Sequence, residues 1–419
     1  MTPYTTLSTD VFIVGAGAAG LFAALHLPEG TGIVVADKGK KGQGSSPWAQ
    51  GGVAAALGPD DSPELHAQDT LRVAAGHADA SAVRVLCHEA PECVLELAEL
   101  GCDFDRTPEG ELHLAREGGQ SVSRSVHAED ATGAAIMKTL REKAASRVQR
   151  VEGVCIKLIV VDGRCVGGWV LTEEGLVQVQ ASSTVLASGG VGALFGSTTN
   201  PRGATGDGLV LAWAAGAGLA DLEFVQFPPP ALAVGDGQQR ALVTEALRGA
   251  GAYVVDADGR RFLFDHHSDA EMAPRDVVAR AIAARKGAWL DCRHLDAGLL
   301  REEFPTVVAS CSAHGLDPSR DLLPIEPAAH YFIGGVQTDL DGRASIPRLY
   351  AIGECSNTGA HGANRLAGNS LAEAMVFGRS AARAIAGQRT GRQKPIESGL
   401  ELHPADVDLE EGWERLRRA

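Results

Sequence analysis

The stretch Asp10-Val-Phe-Ile-Val-Gly-Ala-Gly-Ala-Ala-Gly20 decides the fold, because an apolar run rich in β-branched residues leads directly into a glycine-rich turn. Residues 21–27 then read as a helix, and residues 33–36 form a second apolar run that ends at Asp37. Strand, turn, helix and strand in this order predict a β-α-β unit, and therefore a sheet that begins parallel.

The glycine-rich turn is interpreted as a dinucleotide site. Its first glycine permits the tight turn, the second lets the backbone approach a pyrophosphate, and the third lets the helix pack on the strand. The helix N-terminus offers free N–H groups to phosphates, and an acid at the end of the second strand suits a ribose hydroxyl. The predicted contacts are Gly15, Ala16, Gly17, Ala18, Ala19, Gly20 and Asp37. A glycine-rich turn without a ligand is the alternative, and this pattern alone does not separate FAD from NAD.

The composition argues against several other classes of protein. The chain has 419 residues, of which 45% are hydrophobic and 22% charged, as is usual for a globular protein of two domains. The net charge of -15 argues against a nucleic-acid partner. The eight cysteines form no C-x-x-C pair and predict reduced thiols in a cytoplasmic protein without a metal site. We expect neither a signal peptide nor a membrane span.

The order of predicted elements divides the chain into four parts. A helical pattern runs from residue 62 to about residue 100, and antiparallel strands with a turn at Asp162-Gly163 run from 151 to 171. A proline run at 228–230 interrupts regular structure, and a helix is predicted at 370–386. The predicted parts are the first segment of a nucleotide-binding domain at 1–221, a capping or substrate domain at 222–331, the second nucleotide-binding segment at 332–388, and a polar tail at 389–419.

Three later segments carry a resemblance to a known family. They are Ser45-Ser-Pro-Trp-Ala-Gln-Gly-Gly52, Thr184-Val-Leu-Ala-Ser-Gly-Gly190, and the stretch from Leu349 to Ser370. With the first glycine motif, they make the chain similar to the flavoproteins of the fumarate reductase and succinate dehydrogenase superfamily over about residues 8 to 388. The resemblance implies an α/β fold with a Rossmann-like FAD-binding domain, an inserted α+β capping domain, and a C-terminal helical domain that is truncated or absent.

The same resemblance implies the cofactor and its contacts. FAD is expected to be non-covalent, because Ser45 stands where succinate dehydrogenases carry the histidine that tethers the flavin. No second dinucleotide fingerprint appears, so O2, fumarate or a protein partner would reoxidise the flavin. A cap for the last helix is expected from Asn369 or Ser370. The further cofactor contacts implied are Lys38, Ser45, Ser46, Ala49, Gln50, Gly51, Gly52, Asp207, Glu354, Asn369, Ser370 and Leu371.

By resemblance, four residues surround a C4 dicarboxylate substrate, namely Thr244, Arg275, His330 and Arg365. Two carboxylates removed from water need charge-assisted hydrogen bonds, which arginine provides as a planar fork. Glu117 is similar to an acid found in the L-aspartate oxidases of this superfamily, where it would pair with the α-ammonium of aspartate. The implied reaction is the oxidation of L-aspartate to iminoaspartate with O2 or fumarate as acceptor. It is the first step towards quinolinate and NAD, with a quinolinate synthase as the implied partner.

The sequence also departs from the family pattern. Where the family has Gln-Phe-His-Pro-Thr, this chain has Gln226-Phe-Pro-Pro-Pro230, so a histidine and a threonine that would contact a carboxylate are both proline. Ala250 replaces a usual glutamate, and nothing explains this change. Two alternatives therefore stay open at this point: a soluble fumarate reductase or succinate dehydrogenase-like flavoprotein, and a flavin-binding protein with impaired catalysis. For any single arginine or histidine of the set, a salt bridge or a buried structural role is the further alternative.

Overall fold

The computed structural model describes residues 4–39, 44–228, 231–235, 239–243 and 246–388, which form a mixed α/β structure. The strands in these ranges are β1 (Tyr4–Val14), β2 (Ile33–Asp37), β3 (Val53–Ala54), β4 (Leu114–Ala115), β5 (Ser125–Val126), β6 (Gln149–Glu152), β7 (Val154–Val161), β8 (Arg164–Thr172), β9 (Gly175–Leu186), β10 (Leu219–Ala220), β11 (Val225–Gln226), β12 (Ala231–Leu232), β13 (Tyr253–Val255), β14 (Ala288–Asp291), β15 (Leu323–Glu326), β16 (Tyr331–Phe332), β17 (Gly335–Gln337), β18 (Leu349–Ala351) and β19 (Ser356–Asn357). The α-helices are α1 (Ala18–His26), α2 (Pro63–Val73), α3 (Ala80–Glu99), α4 (Thr132–Ala144), α5 (Asp207–Ala214), α6 (Ala246–Gly249), α7 (Arg275–Ala283), α8 (Ala297–Glu303), α9 (Pro305–Ser312) and α10 (Asn369–Ala386).

The predicted β-α-β unit lies at the centre of the main sheet. This sheet has seven strands in the order β6-β2-β1-β9-β8-β7, with β18 paired to the far end of β9. Strands β1, β2, β6, β9 and β18 are mutually parallel, whereas β8 and β7 return antiparallel. The predicted hairpin turn is confirmed, since Asp162 and Gly163 both have positive φ and join β7 to β8.

Alternating side chains of β1 and β2 face two different cores. Ile13 and Val35 belong to a core shared with α1, α3, α4 and α10. Their neighbours Val14 and Val34 belong to a core on the other face, shared with α5 and β18. Strand side chains point alternately to the two faces of a sheet, so this pattern encloses the main sheet between two apolar layers. The confirmed fold class is therefore a mixed α/β flavoprotein-like architecture.

A separate hydrophobic core lies within residues 232–325. It is formed by buried side chains from β12–β15 and α7–α9 and is not shared with the main sheet. Such a core supports the predicted capping domain at 222–331, although the domain boundaries themselves remain a prediction. The predicted tail at 389–419, and with it the predicted truncation of a helical domain, lies outside the described residues.

The helical pattern from residue 62 to residue 100 is confirmed. It forms two helices, because the chain turns at Ala75 and Gly76, both with positive φ, before Asp79 caps α3. All eight cysteines are buried and none is disulfide-bonded. Across the described ranges, no helix combines the length and hydropathy that a bilayer crossing requires.

Candidate active site

A cavity of about 480 Å³ opens along the carboxyl ends of β1, β2 and β9. Ligands bind at this edge of parallel α/β sheets, where loops leave the strands. Most of the predicted cofactor residues line it: Gly15, Ala16, Gly17, Ala18, Ala19, Asp37, Lys38, Ser45, Ser46, Ala49, Gln50, Asp207, Glu354, Ser370 and Leu371. Of the remaining four, Gly51 and Gly52 line a second cavity, and Gly20 and Asn369 line neither.

The glycine-rich turn has the shape that a dinucleotide requires. Gly15 has a φ of +113°, and a Cβ there would lie 2.2 Å from the carbonyl oxygen of Ala187 in the turn after β9. A Cβ on Gly20 would lie 2.2 Å from the carbonyl oxygen of Gly15, so Gly20 serves helix packing. Gly17 is the N-cap of α1 and leaves the first turn of that helix facing the cavity. These features fit a bound pyrophosphate.

Replacing Gly15 by alanine should therefore abolish cofactor retention. The new Cβ would collide with backbone and hold an unfavourable positive φ, so the turn must move away from the phosphate position. We expect the affinity for FAD to fall at least about 100-fold, roughly 3 kcal/mol, as measured by flavin absorbance after gel filtration. Gly30→Ala is the matched control, because Gly30 also has positive φ but faces open space. Equal flavin content in the two variants would contradict this reading of the turn.

Charged residues line the end of the cavity beyond β2. Asp37 accepts a hydrogen bond from Arg150 Nη2 at 2.8 Å, which orients its carboxylate beside the cavity. Lys38 Nζ donates to Asp207 Oδ2 and to Thr205 Oγ1, both at 2.6 Å. The ribose role of Asp37 remains a prediction that this position supports.

The predicted cap of α10 is wrong. The N-cap is Gly368, with a φ of +80°, and no side chain caps the helix. Asn369 Oδ1 instead accepts a hydrogen bond from His66 Nε2 at 2.8 Å, and its Nδ2 donates to Thr70 Oγ1 at 3.0 Å. Its side chain is fully buried away from both cavities, so its assignment as a cofactor contact is also not supported by the structure. Asn369 fastens the start of α10 to α2, while Ser370 and Leu371 face the cavity.

Burial of His66 has a consequence for stability in acid. Desolvation lowers the pKa of His66 to about 4, against an ordinary value of 6.5. Between pH 6.5 and pH 4 the unfolded chain binds a proton at this residue and the folded chain does not, so stability falls as the pH falls. The free energy of unfolding, measured with urea, should therefore be lower at pH 4 than at pH 7. We expect His66→Gln to reduce this difference by about 3 kcal/mol. Replacing the exposed His88 should leave the difference unchanged, and an unchanged difference in His66→Gln would contradict the assignment.

Glu354 lies at the inner wall of the large cavity. Its carboxylate Oε1 accepts the N–H of Phe332 at 2.9 Å. Burial, opposed by this hydrogen bond and by the charge of Arg365, raises the pKa of Glu354 to about 7. A buried carboxylate of this kind can accept hydrogen bonds from ligand hydroxyls, and a ribityl contact is what the position supports.

A smaller cavity of about 60 Å³ adjoins the large one and shares His330, Ser370 and Leu371 with it. It brings together four of the five predicted substrate residues, Glu117, Arg275, His330 and Arg365, although they are far apart in the chain. The fifth, Thr244, lies outside the described residues. Pro228 lines this cavity, while Pro229 and Pro230 lie outside the described residues.

Two buried arginines give the small cavity a positive wall. Arg275 begins α7 and places Nη1 3.5 Å from Gln226 Oε1. Arg365 lies with its guanidinium 4.4 Å from the ring centre of Tyr331. Burial, and secondly the nearby charge of Arg275, lower the pKa of Arg365 to about 10. Two buried cations that repel each other favour a dianionic ligand between them.

His330 is held as a neutral side chain. Its Nδ1 lies 2.7 Å from Thr199 Oγ1, and its backbone N–H donates to the carbonyl oxygen of Gln226. Burial, followed by the charges of Arg365 and Arg275, holds the pKa of His330 well below its ordinary value. A neutral imidazole can present its second nitrogen to the cavity without adding a third cation.

Glu117 provides the negative group of the small cavity. It is 5% exposed, and its Oε1 accepts the N–H of Gly52 at 2.7 Å. Its Oε2 lies 4.0 Å from Arg275 Nη2. The small cavity therefore offers cations, a neutral imidazole and one carboxylate, a set that suits a dicarboxylate bearing an ammonium group.

The comparisons with known proteins agree with this geometry. An FAD-binding-domain family model matches residues 10–371. The L-aspartate oxidase of Streptomyces coelicolor is 48% identical over 93% of this chain and 70% of its own length. That of Caulobacter vibrioides is 45% identical over 94% of this chain and 80% of its own length. The chain belongs to the L-aspartate oxidase family.

This family shares its fold with fumarate reductases. A structure of E. coli quinol fumarate reductase is 32% identical with a TM-score of 0.89, over 98% of this chain and 74% of its own length. An open conformation of a flavocytochrome c3 fumarate reductase is 26% identical with a TM-score of 0.71, over 92% of this chain and 79% of its own length. The chain spans 66% of the length of another curated relative, the L-aspartate oxidase of a Nostoc species.

Sequence reasoning missed several residues of this family member's site. Thr199 and Asn200 lie in a loop with no motif, yet Thr199 contacts His330 and Asn200 Nδ2 donates to the carbonyl oxygen of His330. Gln226 was visible only as part of the hinge motif, and its Nε2 donates to Asn364 Oδ1 and to the carbonyl oxygen of Arg365. The sequence signal that could have indicated Gln226 is its place in the hinge motif, beside the position where the family carries a histidine.

Proposed function

We propose that this chain oxidises L-aspartate to iminoaspartate, with FAD held in the large cavity and aspartate in the small one. The observation that carries the proposal is the position of Glu117 opposite Arg275 in a cavity that His330 and Arg365 also line. Succinate would leave the buried Glu117 carboxylate without a cationic partner from the ligand, whereas aspartate brings an α-ammonium.

Each side chain of the small cavity would bind the substrate group that its charge complements. Arg275 and Arg365 would each take a carboxylate, and His330 would donate from its free ring nitrogen. The N–H of Gly52 orients the Glu117 carboxylate, which would accept a hydrogen bond from the α-ammonium. Bound FAD supplies the acceptor for the hydride that leaves Cα. Arg275 is assigned to electrostatic stabilisation, because a guanidinium deprotonates too rarely to act as a base.

Several further features belong to the proposal. The electron acceptor is O2 or fumarate, and the product feeds quinolinate and NAD synthesis, with a quinolinate synthase as the next enzyme. The buried, unlinked cysteines support a cytoplasmic location. Non-covalent FAD is supported by Ser45, whose hydroxyl lies on the cavity wall and donates to Asn200 Oδ1 at 3.4 Å.

Anaerobic titration of the purified, FAD-loaded protein tests the function. L-Aspartate should abolish the visible flavin absorbance, and succinate should not. Bleaching by succinate alone would instead indicate a succinate dehydrogenase-like flavoprotein, which the fold shared with fumarate reductase makes the second candidate. Bleaching by neither ligand would indicate impaired catalysis, consistent with Pro228 in the wall of the small cavity.

A further inference from the structure

A buried glutamine holds the Glu117 end of the loop that carries this carboxylate. Gln120 is 3% exposed, and its Oε1 accepts the backbone N–H of Glu117 at 3.0 Å. Its Nε2 donates to Ser125 Oγ at 2.8 Å and to the carbonyl oxygen of Ala367 at 3.2 Å. One amide group thus joins the Glu117 loop to β5 and to the segment that leads into α10.

Those two attachment points adjoin residues that line the small cavity. Ser125 packs directly against Gly52, where a Cβ would lie 2.9 Å from the Ser125 Cβ. Ala367 precedes Gly368, which lines the small cavity and is the N-cap of α10. Gln120 therefore ties Glu117 to β5, which packs against Gly52, and to the segment that leads into α10, yet Gln120 itself lines neither cavity.

A second attachment holds the other end of the loop. Asp69 Oδ2 accepts hydrogen bonds from the N–H and the hydroxyl of Ser121, both at 2.7 Å. Arg72 Nη2 donates to the carbonyl oxygen of Gly119 at 2.8 Å. The backbone N–H of Gln120 also donates to the carbonyl oxygen of Glu117 at 3.1 Å, so the turn itself does not depend on the Gln120 side chain. Loss of that side chain would therefore remove the acceptor of the Glu117 N–H and shift Glu117 rather than unfold the loop.

We propose that Gln120 is a positioning residue that fixes the Glu117 carboxylate and thereby sets the preference for aminated over non-aminated C4 dicarboxylates. The inference rests on the proposed function and deepens it. Of the substrate's groups, Glu117 is assigned to the ammonium, whereas Arg275 and Arg365 are assigned to the carboxylates, so a displaced Glu117 should weaken aspartate more than fumarate. A misplacement of about 1 Å in such a group costs roughly 100-fold.

The test replaces Gln120 by methionine, which has a similar volume and no hydrogen-bonding amide. In the FAD-loaded enzyme, KM for L-aspartate should rise about 30-fold, while KM for fumarate in the reductase direction changes less than about threefold. Gln178→Met is the matched control, because Gln178 is an equally buried glutamine in β9 that lines neither cavity. Equal changes for both ligands in Gln120→Met would reduce the residue to a structural role and overturn the proposal.

A double-mutant cycle with Glu117→Gln tests whether Gln120 acts on the substrate through Glu117. If Gln120 acts through Glu117, then adding Gln120→Met to Glu117→Gln should change KM for aspartate less than about threefold. A full additional 30-fold effect would contradict positioning through Glu117. If the methionine variant does not fold, Gln120→Asn should shift selectivity in the same direction, because its amide is one methylene shorter and lies away from the N–H of Glu117.

A crystal structure of FAD-loaded Gln120→Met separates this inference from the proposed function. The Glu117 carboxylate should move away from the N–H of Gly52, whatever substrate the enzyme uses. An unmoved carboxylate overturns the positioning role even if the wild type oxidises aspartate. A moved carboxylate in a protein that aspartate never reduces would retain the positioning role and reject the proposed function.

Discussion

Replacement of Arg275 by methionine is expected to lower kcat/KM for L-aspartate by about 1000-fold, roughly 4 kcal/mol. Arg275 is buried at the start of α7, and its guanidinium is the cation nearest to Glu117 in the small cavity. Its loss would leave one substrate carboxylate without its charge-assisted hydrogen bonds and would remove a cation 4.0 Å from the Glu117 carboxylate. Removing one partner of a buried charge pair costs far more than removing a surface pair.

Steady-state oxidation of aspartate measures this effect, and flavin absorbance checks that FAD remains bound. Arg280→Met is the matched control, because Arg280 lies in the same helix with 71% of its side chain exposed and, within the described residues, forms an ion pair only with Asp276. The control should change kcat/KM by less than about twofold. A loss of activity below about tenfold in Arg275→Met would show that this arginine does not bind the substrate.

The second large effect is expected from Glu117→Gln. The glutamine can still accept the N–H of Gly52, so the loop should keep its position. It has no charge to pair with an α-ammonium, and kcat/KM for aspartate should fall about 100-fold, roughly 3 kcal/mol. Fumarate carries no ammonium, so its reduction by the same variant should change less than about threefold.

Comparing the two reactions in one preparation removes any difference in folding or FAD content. Glu109→Gln serves as the control, since Glu109 is an exposed carboxylate in a nearby turn. Its two activities should both match those of the wild type. Parallel losses of aspartate oxidation and fumarate reduction in Glu117→Gln would remove the argument that this residue selects the substrate.

Local chemistry explains what could be predicted from the sequence. The positive φ of Gly15 and the contact of Gly20 with the carbonyl oxygen of Gly15 arise within one turn, and the turn at Asp162 and Gly163 follows from two positive φ angles. These requirements act over a few residues, so a short pattern is enough to state them. The convergence of Glu117, Arg275 and Arg365 was predictable only through the family resemblance, since no local pattern relates the three positions.

Long-range partners explain what could not be predicted. Asn369 has the side chain of a typical helix cap, but His66, 303 residues earlier, lies beside it and keeps it in the core. Gln120 has no distinguishing feature in the sequence, and its importance depends on Ser125 and on Ala367, 247 residues further along. Intrinsic propensity describes the local preference of a residue type. The roles of Asn369 and Gln120 are instead determined by burial against distant partners.

Thr306 and Ser310, both in α9, line the same large cavity as Gly15 and Asp37, although α9 packs in the core of residues 232–325. At the start of that helix, Asp130 Oδ2 accepts the N–H of Val307 at 3.1 Å. A ligand that contacts residues from both the main-sheet part and the part with the 232–325 core stabilises the association of these two parts by mass action. Protease resistance of the junction should therefore rise with the concentration of free FAD.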